Sequence, residues 1–303
     1  MKRRAFTNTI GLLPFLSIPD IKQTLKSRLP ISSNEYNWRT FYQRENKDWL
    51  KYRFDNLVGY RKTGLIAIEP SLDKAEDVFL FDRAQEVYGI QVPSAYVNSL
   101  LHEKDQANKS IETVLAIAEN LGNLETKILV TNPNPISWGA KIAKTDEQLK
   151  VQLDNLNKLG KYLHQKGIQL AYHTHDMEML AGAKEFHHML QNTDKNYVNF
   201  CFDLHWVYRG SGNSELAVFD VLKMYGARII ELHLRQSKNG VWQETFTAEG
   251  DIDYKKVAHQ LLANNIKPLL VIEQCVEMNS PHTLDAVKAH EIDLKNVTDL
   301  FNN

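Results

Sequence analysis

The chain has 303 residues, with 36 Lys plus Arg against 37 Asp plus Glu, 43% hydrophobic residues and a formal net charge of −1. That balance excludes a mainly disordered chain, and without a basic excess to neutralise phosphates it excludes a strong nucleic-acid binder. No apolar run approaches the roughly 18 residues of a membrane span, and Cys201 and Cys275 alone provide neither a disulfide framework nor a paired-cysteine metal knuckle.

The chain opens Met1-Lys2-Arg3-Arg4-Ala5-Phe6, and residues 10–18 are largely apolar. A basic segment before a short apolar one resembles an export signal, and Arg3-Arg4 with Phe6 a twin-arginine one. Export to the periplasm is the expectation, against a cytoplasmic protein whose basic end packs on the domain. Pro14 interrupts the apolar run. Residues 1–35 are set apart as signal plus lead-in, and the domain is taken as residues 36–303.

From Tyr36 onward short β-rich runs alternate with longer helical ones. Residues 37–42 read as a weak first strand. Residues 48–62 read as a helix, from Leu50, Phe54, Leu57 and Val58 at helical spacing, with Gly64 as its stop. Residues 65–68 form a continuous apolar run, as a strand buried on both faces requires. Helices over 74–88, 108–121 and 145–165 then alternate with strands over 90–97, 127–130 and 168–172. Thr145 is placed to cap the third of these helices, with Glu147 in its first turn. The second half continues with helices over 183–190, 215–225, 254–264 and 284–301 and strands over 198–204, 229–234 and 268–272. Eight β/α units predict a single-domain α/β fold, a (β/α)8 TIM barrel, rather than an open doubly wound sheet. No glycine-rich phosphate turn of either common type is present.

Barrel chemistry sits at the C-terminal ends of the strands. The predicted ends carry Glu69-Pro70, then Tyr172-His173-Thr174-His175-Asp176-Met177-Glu178, then Asp203-Leu204-His205-Trp206, then Glu231-Leu232-His233-Leu234-Arg235-Gln236, then Glu273-Gln274. Alternation in strands puts His173 with His175, and Asp203 with His205, on one side. Imidazoles and carboxylates converging from four neighbouring strands suit a divalent cation such as Zn2+ or Mn2+. Each element alone has a structural explanation: a core histidine pair, a helix-capping Asp203, a rim ion pair at Glu69 or Glu273. Their coincidence at successive strand ends is what points to one site.

With Glu249-Gly250-Asp251-Ile252-Asp253-Tyr254 added, these motifs resemble the sugar phosphate isomerase/epimerase superfamily, the xylose isomerase-like TIM barrels, from about Tyr36 to the C-terminus. The resemblance implies a bound Mn2+, Zn2+ or Mg2+ and an enzyme that isomerises or epimerises a sugar or keto-sugar through an enediolate. In the epimerases the ligands on strands five to eight are Glu, Asp, His and Glu; Asp203, His233 and Glu273 match three of them. On strand five His173 stands where Glu is expected, and Glu178 could loop back instead, so both are candidate ligands. His175, Glu178 and Glu273 are candidate acid/base groups, Glu69, His205 and Arg235 candidates for substrate hydroxyls, and Trp138 and Trp206 candidate sugar-stacking walls. A small carbohydrate is the expected partner, and barrels of this kind often pair as homodimers. A metal-dependent lyase or dehydratase acting on an oxidised sugar, polyol or 3-keto-glycoside is the alternative. A DNA-repair endonuclease on the same barrel, disfavoured by the flat charge, and a non-catalytic sugar-binding barrel come behind it.

Overall fold

The computed structural model describes residues 31–301. The export-signal reading of residues 1–30 lies outside them. Eight parallel strands make the barrel: β1 (Ile31–Asn34), β2 (Ile68–Glu69), β3 (Ser94–Tyr96), β4 (Ile128–Thr131), β5 (Gln169–Tyr172), β6 (Val198–Asp203), β7 (Ile229–Leu234) and β8 (Leu269–Ile272). They pair in the order β2-β1-β8-β7-β6-β5-β4-β3. Backbone bonds from Ile68 N to Gln91 O (2.9 Å) and from Tyr96 N to Pro70 O (2.9 Å) join the two ends of this order into a ring. Helices between the strands cover the outside, and no described helix is long and apolar enough to cross a membrane.

The first strand is not where the sequence placed it. Residues 37–42 lie inside the helix Glu35–Arg44, and the strand is Ile31–Asn34, within the segment set apart as lead-in. The reason is local. Asn34 caps the helix by accepting from Tyr36 N at 2.7 Å. Trp38 and Phe41 then sit three apart on its buried face. The strand itself reads Ile-Ser-Ser-Asn, and its buried serines and asparagine hide it from any search for apolar runs. The predicted helix over 48–62 is observed only as Arg53–Lys62.

Two further elements lie outside the sequence pattern. A helix, Leu204–Gly210, starts directly after β6. A hairpin pairs Ser237–Lys238 with Val241–Trp242. Its turn is Asn239-Gly240, both at positive φ (54° and 75°), the two-residue geometry that matches strand twist.

Alternation divides the strand residues between two cores. Leu232 and Leu234 face outward into the layer shared with the helices. Inside the barrel, Ile128, Val130, Ala171, Cys201, Leu269 and Val271 form a second apolar cluster. Above it the interior turns polar, because the inward positions at the strand ends are Asp203, His233 and Glu273.

Packing outside the ring is close enough to override helix propensity. Gly160, in the helix Asp146–Gln165, lies so near the chain that an added Cβ would stand 2.5 Å from Tyr197 O and 2.9 Å from its carbonyl carbon. Alanine is worth up to ~1 kcal/mol over glycine within a helix, but overpacking costs ~1–3 kcal/mol. Gly160→Ala is therefore expected to lower the thermal midpoint; a raised midpoint would show that the contact relaxes freely.

Candidate metal centre and its pocket

His173 continues β5, its N–H donating to Thr131 O at 2.9 Å, and Glu273 continues β8, donating to Leu234 O at 3.0 Å. Asp203 ends β6 opposite His233 in β7. One side-chain nitrogen or oxygen from each of these four residues lies within 4.8 Å of the others. His173, Asp203 and His233 are fully buried, and Glu273 is 5% exposed.

The atoms that face one another are His173 Nε2, Asp203 Oδ2, His233 Nδ1 and Glu273 Oε2, and none has a hydrogen-bond partner. The approaches of His233 Nδ1 to Glu273 Oε2 (2.6 Å) and of His173 Nε2 to Asp203 Oδ2 (3.8 Å) lack hydrogen-bond geometry. An unsatisfied buried polar atom costs ~1–3 kcal/mol, more if charged. Four of them converging on one point is a costly arrangement that a cation relieves. Two imidazole nitrogens and two carboxylate oxygens are a donor set for Zn2+ or Mn2+. The residues fit the metal.

Arg235 buttresses the acidic side of the group. Its Nη2 lies 2.6 Å from Glu273 Oε1 and its Nε 3.2 Å from Asp203 Oδ2. Its guanidinium sits 5.1 Å from the Trp206 ring and 4.9 Å from Trp242. Burial pushes the Glu273 carboxyl up, but Arg235 and His233 outweigh it and hold Glu273 well below the usual carboxylate range. Asp203 is held low in the same way by Arg235 and His173, against its burial.

Behind the ligands, His233 Nε2 lies 3.1 Å from Glu69 Oε2 and 3.2 Å from Glu231 Oε1. Asn34 Nδ2 donates to Glu69 as well. An Nε2–H pointing at carboxylates leaves the Nδ1 lone pair for the cation, the usual second partner of a metal-bound histidine. Glu69 is thus not at the rim for a substrate hydroxyl; it is fully buried beneath His233. Glu231 stands in the strand-end motif but receives no role from the sequence, although its inward parity with His233 and Arg235 along β7 is legible. Glu69→Gln is expected to weaken cation affinity ~10–100-fold, measured by chelator competition; unchanged affinity would remove this role.

Two further site residues need correction. His205 was expected beside Asp203 and facing substrate. The strand ends at Asp203, whose Oδ1 accepts from His205 N (2.9 Å) and Trp206 N (3.0 Å), so His205 belongs to the first helical turn. Both its ring nitrogens are taken: Trp242 Nε1 donates to Nδ1 (3.1 Å), and Nε2 meets Ser237 Oγ (2.7 Å), which in turn donates to Asp251. It props the tryptophan that packs on Arg235. Glu178 does not loop back to the metal group. Its Oε2 accepts from His175 N at 2.6 Å and its Oε1 from Asn132 Nδ2 at 3.1 Å. Burial, with Glu185 nearby, pushes its carboxyl up to about 8. Asn132 also donates to His173 O (3.0 Å), so the pair clamps the backbone that carries both histidines.

His175 stands over the ligands, its ring 4.8 Å from His173, edge-on to Trp138 at 5.0 Å and tilted against Trp206 at 5.2 Å. Burial first, then the charges of His173 and Arg235, hold its imidazole well below the usual value, which favours the neutral ring. A cavity of about 710 Å3 opens above, lined among others by Tyr36, Trp138, His175, Trp206, Arg235 and Glu273.

Comparison with known proteins agrees with this architecture. A family model described as xylose isomerase-like TIM barrel matches residues 60–292. An inosose dehydratase of Clostridium perfringens is 27% identical over 227 residues, spanning 65% of this chain and 73% of that relative. The structure of a D-allulose 3-epimerase from Methylomonas sp. in complex with D-allulose superposes with a TM-score of 0.69 at 14% identity, over 90% of this chain and 97% of that one. A xylose isomerase-like TIM barrel protein from Mycobacterium smegmatis in complex with magnesium gives 0.65 at 12% identity, over 90% and 98%. At such identities the structures show a shared fold.

Proposed function

The chain belongs to the xylose isomerase-like TIM barrel family, and from that premise we propose that it is a divalent-metal-dependent isomerase or epimerase of an unphosphorylated, sugar-like polyhydroxy ketone. The observation that carries this reading is the convergence of four donor atoms that make no hydrogen bond, at neighbouring strand ends beside His175 in a cavity.

His173, Asp203, His233 and Glu273 would hold the cation. When bound, it supplies Lewis-acid polarisation of a carbonyl and its neighbouring hydroxyl, which acidifies the adjacent C–H. His175 takes that proton, since its neutral ring is favoured and it faces the cavity. Trp138 and Trp206 flank its ring. Arg235 is held in place by both carboxylates and the two indoles, and presents a fixed cation to a substrate oxygen. Glu273 stays ionised, which suits a ligand better than a proton carrier. Returned by His175 on the face from which it was taken, the proton gives a shift between neighbouring carbons; epimerisation requires a second proton donor on the opposite face.

Dehydration is the second reading. It is favoured by the name of the curated relatives, inosose dehydratase, and by His173 at the position where the epimerases have a carboxylate. There His175 would hand the proton to the departing hydroxyl. The deciding experiment incubates metal-loaded protein in deuterium oxide with a panel of ketoses, 3-keto sugars and cyclic polyhydroxy ketones. Deuterium incorporated without loss of water supports isomerisation or epimerisation, and an unsaturated ketone supports dehydration. Neither outcome, with metal content confirmed, would sink both.

A further inference from the structure

The cavity extends well beyond the reacting centre. At about 710 Å3 it falls within the range that buries drug-sized ligands. His175, Arg235 and Glu273 occupy only part of its wall; much of the rest comes from segments that follow β1, β2 and β4. Three large apolar side chains that are exposed line that cavity: Tyr36 (45%), Leu50 (45%) and Trp138 (56%). Exposed apolar side chains gathered round a concavity mark a binding surface. Arg39 lies 5.7 Å from the centre of the Tyr36 ring, and Trp138 meets His175 edge-on at 5.0 Å, so both aromatic rings are braced. Charge does not select an anion here, because four basic and four acidic side chains line the same cavity.

We propose that Tyr36, Leu50 and Trp138 form a second subsite, and that the natural substrate is a glycoside-like molecule with a second, uncharged, ring-sized unit attached to the sugar that reaches the metal. Aromatic rings stack on such units with a preference for offset or edge-on geometry, and an aliphatic side chain at the mouth adds apolar area. This inference rests on the sugar reading given above. Trp138 spans both regions, touching the base on one side and the mouth on the other.

The test is calorimetric titration of the full, metal-loaded chain with matched pairs, the methyl and the phenyl β-glycoside of the same 3-keto hexose, across several 3-keto hexoses. The phenyl member is expected to bind at least tenfold more tightly, a difference of about 1.4 kcal/mol. Leu50→Glu should erase that advantage and leave the methyl member's affinity unchanged; Leu50→Ala should reduce it by an intermediate amount. Leu50 is half-exposed, so both variants should unfold at the wild-type temperature. Equal affinity for the two members, or an advantage that survives Leu50→Glu, overturns the second subsite and leaves the sugar reading standing. Failure of every pair to bind overturns the sugar reading, and this inference with it.

Discussion

Asp203→Ala is expected to leave the purified protein without its cation. Asp203 Oδ2 is one of the four atoms that make no hydrogen bond, and deleting a ligand should cost more than the ~100-fold that bounds the loss of an outer hydrogen-bond partner. The same substitution removes a second function. Oδ1 caps the helix Leu204–Gly210 through His205 N and Trp206 N, and loss of such a cap costs ~1 kcal/mol. Asp203→Asn separates the two effects, because an amide oxygen still accepts at the cap while the negative ligand is gone. Both variants should lose metal, measured by elemental analysis; only the alanine variant should lose cap stability. Chelator should lower the thermal midpoint of the wild type, whose folded state alone binds the cation, and leave that of either variant unmoved. If Asp203→Ala and Glu273→Ala both retain full metal content, the centre is elsewhere.

His175→Phe is expected to lower turnover ~10²–10⁴-fold, the range of a single acid/base group, with metal content intact. Phenylalanine keeps a ring between Trp138 and Trp206 and removes the proton acceptor. The pH dependence has a definite sign. His175 is held well below the ordinary imidazole value by burial and by the charges of His173 and Arg235. Activity is lost only where the ring gains a proton, so the acid limb of kcat/KM should fall below pH 6.5, the ordinary imidazole value, and be absent from the residual activity of the phenylalanine variant. An acid limb above that value, or near-normal turnover of the variant, would take the base role away from His175.

Much of this site was legible from the chain. The four residues whose side-chain donors converge, His173, Asp203, His233 and Glu273, were all named from strand ends. The errors have specific causes. Residues 31–34 were missed because a barrel interior that turns polar at this strand erases the apolar signal. His205 was assigned by carrying strand alternation one residue too far, past the point where Asp203 turns the chain into a helix. Glu178 was a plausible ligand by distance along the chain, yet its carboxylate is spent on His175 N and Asn132.

Local pattern alone established the alternation of strands and helices, hence the barrel, and the ligand-type residues at its mouth, because periods of two and 3.6 are written in neighbouring residues. Only the folded ring decided how each polar atom is used. Glu69 supports His233 across 164 positions of sequence, and Trp242 reaches His205 from a hairpin. Such pairings depend on which strands close beside one another, and no local pattern contains that.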